Sequence, residues 1–309
     1  MQAPLRLAKR LFFRGLPLLA GLFLLAGAPT ASAEPPERLR LLLPPLSSAD
    51  QVYARFQPLA QHLEKALDIP VEARVAGDLE SLLRLARQDR PQIAYLCPLI
   101  YTRLADEGAL TALARLERHG QSTFRTVVVV RDGSPYARLE ELEGARFAYG
   151  NPVCAASRLV PEAMFAEAGL NPGRDFFEKR TLGSNENALY SVAADLFDAT
   201  AVDESSARPF LEKGVLRALR YSRPIPQYLL AANRGIDAAF RRRLTGILTS
   251  LQAESVLRAI GSDVNGFVAT TDADYDVIRA MERRHGTPST PLNLLDPADR
   301  TTSTEGRRE

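Results

Sequence analysis

Between Leu39 and Leu251 the chain alternates short runs of aliphatic and β-branched residues with longer stretches of helical period. That alternation restricts it to a layered α/β architecture. Strands are expected at Leu39–Leu43, Val71–Val75, Gln92–Leu96, Thr126–Arg131, Arg146–Tyr149, Asp198–Val202 and Gln227–Ala232. Helices are expected at Gln51–Leu67, Asp78–Gln88, Pro98–Glu107, Ser157–Ala168, Glu186–Leu196, Ser206–Glu212 and Asp237–Leu251. In the first helix Val52, Phe56, Leu59, Ala60, Leu63 and Leu67 recur at the 3.6-residue period that places them on one face.

The β-branched run 126–131 is followed by Asp132-Gly133-Ser134-Pro135, which reads as a turn out of one body into another. Ser222-Arg223-Pro224-Ile225-Pro226 reads as the return. The chain is therefore expected to form two lobes joined by two crossing strands. Lobe 1 is discontinuous, residues 34–131 plus 225–285, and lobe 2 is residues 132–224. Ligands of open α/β sheets sit beyond the carboxyl ends of strands, so two such lobes would enclose a cleft. Residues 286–309, rich in Thr, Ser, Pro and charge, read as a flexible tail.

Residues 1–33 read as an address. A basic start is followed by the apolar run 16–26 and then Ala31-Ser32-Ala33 before Glu34, the layout of a cleaved secretory signal peptide. The run falls short of the roughly 20 apolar residues that span a bilayer. The mature protein is expected in the periplasm and not embedded in the membrane. The full chain carries +2, but Arg6, Lys9, Arg10 and Arg14 lie in the leader with no acid beside them, which leaves −2 on the remainder. A nucleic-acid partner, which requires a basic face, is not expected.

Conventional catalytic signatures are missing: there is no G-x-S-x-G, H-E-x-x-H, P-loop or G-x-G-x-x-G. His62, His119 and His285 are far apart in sequence and read as solvated side chains. No zinc spacing is present, so no metal, no cofactor and no enzymatic activity are expected.

Three strand-to-helix turns present unpaired N–H groups suited to an anion. Ser47 and Ser48 follow the first strand and would either offer hydroxyls or cap the helix. Gly150-Asn151-Pro152 leads into Cys154, Ala155, Ala156 and Ser157. Gly183-Ser184 leads into Asn185 and Glu186.

These turns, in their order along the chain, carry a resemblance. The segments are Tyr53 with Pro58-Leu59-Ala60-Gln61-His62-Leu63, Ile93-Ala94-Tyr95-Leu96-Cys97-Pro98-Leu99-Ile100-Tyr101, and Leu139 to Ala148. Asn151-Pro152, Ser157-Arg158-Leu159-Val160-Pro161, Gly169-Leu170, Gly183-Ser184 and Asp198-Ala199 continue the series. Together they resemble the phosphate/phosphite/phosphonate-binding family of type II periplasmic binding proteins that serve ABC transporters. The resemblance implies a Venus-flytrap fold and hinge closure around a small oxyanion, which a monomer would present to a permease. It places Tyr101 and Ser157 in the cleft, with Asn185, Glu186 and Asp203 as candidates from the second lobe.

The chain departs from the family at the anion turn, where Cys154, Ala155 and Ala156 stand in place of Ser and Thr hydroxyls. Asn185 and Glu186 stand where His-Asp is usual. Each lost charge-assisted bond would cost an oxyanion roughly 1.5–3 kcal/mol. Cys97 and Cys154 are both expected at strand ends facing the cleft, as a disulfide, a thiol site for a soft ligand, or inert buried thiols. Some members of this family are arsenite-binding sensors that report to a membrane histidine kinase. This chain resembles them in placing cysteine in the cleft, which defines the alternative function.

Overall fold

A computed structural model describes residues 36–285, except 89 and 153. The leader expected at 1–33 and the tail expected from 286 lie outside the described residues. The chain begins with β1 (Leu39–Leu43), α1 (Ala49–Leu67), β2 (Val71–Val75), α2 (Leu79–Ala86), β3 (Gln92–Leu96) and α3 (Pro98–Asp106). Next come β4 (Leu110–Arg118), β5 (Thr123–Phe124), β6 (Thr126–Arg131), β7 (Arg146–Tyr149), α4 (Leu159–Glu167) and β8 (Glu178–Thr181). After these lie α5 (Asn185–Ala193), β9 (Ala199–Asp203), α6 (Glu204–Glu212), β10 (Leu216–Tyr221), β11 (Ile225–Pro226) and β12 (Leu229–Asn233). The described chain closes with α7 (Ala238–Thr249), α8 (Glu254–Ile260), β13 (Val264–Ala269) and α9 (Asp276–His285).

Two sheets lie within one compact unit. The first has the order β13-β4-β12-β3-β1-β2, parallel where β1 meets β2 and β3, and antiparallel where β12 and β13 join. β3 and β12 are buried along their whole length, as strands covered on both faces must be. On one face α1 contributes the periodic set Val52, Phe56, Leu59, Ala60, Leu63 and Leu67, which packs with Leu41, Leu43 and Phe240. The second sheet has the order β10-β6-β9-β7-β8.

The chain passes from the first sheet to the second between β4 and β6 and returns between β10 and β12. At this crossing β5 and β11 pair antiparallel, Phe124 opposite Ile225, and tie the two passages together. One expectation is corrected here. The run 126–131, read as the last strand of the first lobe, is an inner strand of the second sheet between β10 and β9. Val127, Val128, Val129 and Val130 are all fully buried because sheet neighbours and packing cover both faces.

Away from the crossing, one apolar cluster runs through both halves, from Leu96 and Tyr101 to Phe147, Phe165 and Leu159. Helix α9 adds Ile278 to it and contacts both α3 and α4, with Arg103 bridging to Glu282 at 2.7 Å. The expected helices occur with shifted ends. α4 begins at Leu159 rather than Ser157, because Ala155–Ser157 form a separate 3-10 turn. β4, β5, β8, β10, β11, β13, α8 and α9 lie outside the elements expected from the sequence pattern.

Candidate functional site

Two spaces lie near the crossing strands. The larger, about 650 Å³, is lined from the first half by Arg55, Tyr95, Arg118 and Asp263 and from the second by Asp203, Glu204, Ser205, Ser206 and Arg208. Thr123, Phe124, Arg125 and Gln227 line it from the crossing segments. The smaller, about 30 Å³, holds one or two waters at most. It is bounded by Pro44, Leu82, Leu96 and Ile100, by both cysteines, by Asn151 and by Tyr228. Tyr228 borders both spaces and stacks on Tyr95, with ring centroids 5.5 Å apart.

The larger cavity is rich in guanidinium, each group held by a partner. Arg118 pairs with Asp263. Arg125 makes two bonds to the Glu204 carboxylate, both at 3.1 Å. Arg55 donates to the Ile260 carbonyl at 2.6 Å, and Arg208 lies 3.0 Å from the His119 ring. Burial opposes the charge on Arg118, but Tyr95, Asp263 and Asp203 outweigh it and hold its pKa above the ordinary value. Burial pushes the Tyr95 phenol up to about 12, so it enters the cavity as a neutral hydrogen-bonding group.

Asp203 ends β9 and caps α6, accepting the Ser206 N–H at 2.9 Å, the Ser206 hydroxyl at 2.6 Å and the Ser205 hydroxyl at 2.5 Å. It also accepts Asn185 Nδ2 at 3.1 Å. Asn185 in turn accepts the Ser157 hydroxyl at 2.6 Å and the Asn151 N–H at 3.1 Å through Oδ1. Three of the expected second-lobe residues thus form one chain of hydrogen bonds, but only Asp203 lines the larger cavity. Gly150 is required beside this chain, since a Cβ there would sit 2.4 Å from Asn185 Oδ1.

The expected anion turn is filled by sulfur. The Ser157 and Arg158 N–H groups are used by the Cys154 carbonyl, at 3.1 and 3.2 Å. The backbone amides of Ile100, Ala155 and Leu99 favour the charged form of the Cys97 thiol and so oppose the effect of its burial. The Cys154 thiol lies 3.2 Å from the Tyr228 hydroxyl, while the neighbouring Ser157 hydroxyl donates to Asn185. Burial pushes the Cys97 thiol up to about 12, with Cys154 as a second, like-charge contribution. Burial also raises Cys154. Neither cysteine is in a disulfide.

Several expected site residues are placed elsewhere. Tyr101 is fully buried, its hydroxyl donating to Asp272 at 2.8 Å and its ring packed on Tyr275, so it lines neither space. Ser48 caps α1 by accepting the Gln51 N–H at 3.4 Å; Ser47 is exposed beside it, and neither lines a cavity. Glu186 is exposed in the first turn of α5. Ala155, Ala156 and Ser157 are fully buried and line neither space. Arg118 and Asp263 escaped the sequence reading because each belongs to an unforeseen strand or its approach.

Fold and cleft together define a two-lobed solute-binding protein. Residues 41–275 match the family described as "ABC transporter, phosphonate, periplasmic substrate-binding protein", and the chain belongs to that family. Its members are substrate-binding parts of importers rather than enzymes. The fold is similar to that of PhnD1 from Prochlorococcus marinus in complex with methylphosphonate, at 19% identity and a TM-score of 0.69, covering 81% of this chain and 98% of that one. It is also similar to a binding protein component of an ABC phosphonate transporter from Pseudomonas aeruginosa, at 18% identity and a TM-score of 0.68, covering 80% and 86%. A Xanthomonas citri protein bound to ATP shares the fold at 21% identity and a TM-score of 0.69, covering 81% and 100%. No helix among the described residues is long and apolar enough to cross a membrane.

Proposed function

We propose that this protein captures a small phosphorus-containing anion in the 650 Å³ cavity and, as a monomer, presents it to an ABC permease. The observation that carries the reading is the charge of that cavity. Arg55, Arg118, Arg125 and Arg208 face three carboxylates, Asp203, Glu204 and Asp263, and both halves contribute. Guanidinium forks match phosphonate and phosphate oxygens geometrically. The family supplies the transport context. The cavity is favoured over the neighbouring anion turn because the Ser157 and Arg158 amides of the turn already serve the Cys154 carbonyl and the space there is too small for a tetrahedral oxyanion.

The lobes are taken as 34–125 with 225–285, and 126–224, hinged at the β5–β11 ribbon. Closure would follow from contacts the ligand makes to both halves only in the closed form. Export through the leader, with cleavage after Ala33, belongs to the same reading.

A thermal-shift and calorimetric panel with methylphosphonate, phosphite, phosphate and arsenite tests it. A ligand at about 100 times its Kd adds about 2.7 kcal/mol of stability. Arg118→Gln is expected to abolish the shift produced by a phosphorus anion. Silence toward every phosphorus anion refutes the reading. A response to arsenite alone would favour signalling to a histidine kinase instead.

A further inference from the structure

The smaller space is chemically unlike the larger one, and the transport reading does not use it. Its walls are mainly apolar: Pro44, Pro45, Leu79, Leu82, Leu96 and Ile100. Into it come two thiols from opposite halves of the molecule, Cys97 from the end of β3 and Cys154 from the turn after β7. A hard cation would find few oxygen donors there and nothing resembling an octahedral shell. Zinc requires four donors, and no group of three or more His, Cys, Asp or Glu suited to a metal exists among the described residues. Thiolates select soft ions, and two of them lining one ion-sized space are the donor set of a two-coordinate centre.

We propose that Cys97 and Cys154 together bind one soft monovalent d10 cation, of the copper(I) or silver(I) class, between the two halves of the protein. Two S–H bonds break, two metal–sulfur bonds form, and two protons pass to solvent without any change of oxidation state. The ion supplies the positive charge that two facing thiolates lack. The amides of Ile100, Ala155 and Leu99 beside one sulfur, and of Ala156 beside the other, favour the negative charge left on the S–M–S unit. Because the ligands come from both halves, the bound ion would also tie the cleft shut beside Tyr228.

The test is an anaerobic titration of the reduced protein with copper(I) against a chromophoric copper(I) chelator, with native mass spectrometry to count ions. One ion per chain and release of about two protons per ion are expected from the stoichiometry above. Cys97→Ser and Cys154→Ser should each weaken binding at least roughly 100-fold, the upper end of what losing an outer-shell partner already costs. Undiminished binding by either variant overturns the proposal, as does failure of the reduced wild-type protein to compete with the chelator. Proton release is read on the wild-type chain and so does not depend on a variant folding. The methylphosphonate panel is read on metal-free protein, so failure of one proposal leaves the other standing or falling on its own data.

Discussion

The hydroxyl of Ser157 donates to Oδ1 of Asn185 at 2.6 Å, and the same oxygen accepts the Asn151 N–H at 3.1 Å. A single amide oxygen therefore fixes both the turn after β7 and the end of the 3-10 segment that follows, while the Asn185 Nδ2 reaches Asp203. Asn185 joins the turn after β7 to the end of β9 in the second half.

Replacing Asn185 with Ala should therefore cost more than one hydrogen bond. It removes the acceptor of the buried Ser157 hydroxyl, at about 1–3 kcal/mol for an unsatisfied buried group, and also the acceptor of the half-buried Asn151 N–H. Gly150→Ala should also destabilise, since its Cβ would collide with Asn185 Oδ1 at 2.4 Å. In a double-mutant cycle by urea unfolding the Gly150→Ala penalty should shrink when Asn185 is already Ala. Strict additivity would show that the close approach is not what requires glycine.

Tyr101 provides a contrasting case. Its hydroxyl is engaged by Asp272, which Arg279 also holds at 2.8 Å, and its ring lies against Tyr275 beneath α9. Tyr101→Phe should lose about 1 kcal/mol of stability and leave the affinity for any phosphorus anion unchanged. Calorimetry showing a tenfold weaker ligand would return Tyr101 to the cleft.

What the sequence disclosed follows from which elements obey simple periods. β1, β3 and β6 are short, mainly apolar runs, interrupted in β1 only by Arg40, and α1 has a clean amphipathic face, so all of them are legible. β4 was hidden because its pairing with β12 shifts register between Leu230 and Ala231, which breaks the two-residue alternation near Leu113. β13 carries a similar shift around Gly266, and β10 one between Ala218 and Arg220. β8 is a short edge strand of Glu178, Lys179, Arg180 and Thr181, with charges that suit an edge and mask a strand. Losing β4 and the approach to β13 concealed Arg118 and Asp263, and with them the charged wall of the larger cavity. The turn from Gly150 to Ser157 lies where the sequence pattern puts it, but the placement of both cysteines beside one small space depends on side-chain packing that spacing does not encode.

Acid stability should report on Asp198. Burial alone would raise its carboxyl, but the Arg146 guanidinium at 2.7 and 3.2 Å and the Arg146 N–H at 2.7 Å overcome that and hold it below the ordinary carboxylate range. A depressed folded pKa gives stability that is complete above the unfolded value, about 3.9, and is lost as pH falls through the folded one. Asp198→Asn should be less stable than wild type at neutral pH, with the two converging below about pH 4. Urea unfolding across that range checks this; parallel curves would mean that Arg146 contributes nothing through charge.

Alkaline stability should report on Cys97 with the opposite sign. Burial holds the folded thiol near 12, whereas an unfolded cysteine ionises near 8.5. Above about pH 8.5 the unfolded chain sheds a proton that the folded chain retains, so this group's contribution is complete below that pH and declines as pH rises toward the folded value. The slope approaches about 1.36 kcal/mol per pH unit for one retained proton. Tyr95, Tyr228 and Cys154 are raised by burial as well, so wild-type stability falls steeply in this range for several reasons at once. The Cys97→Ala difference isolates one of them. Its unfolding free energy should decline less steeply than that of wild type between about pH 9 and 11 under reducing conditions. An identical slope in the two proteins would mean that Cys97 already ionises in the folded state, and that the amides of Ile100, Leu99 and Ala155 outweigh its burial.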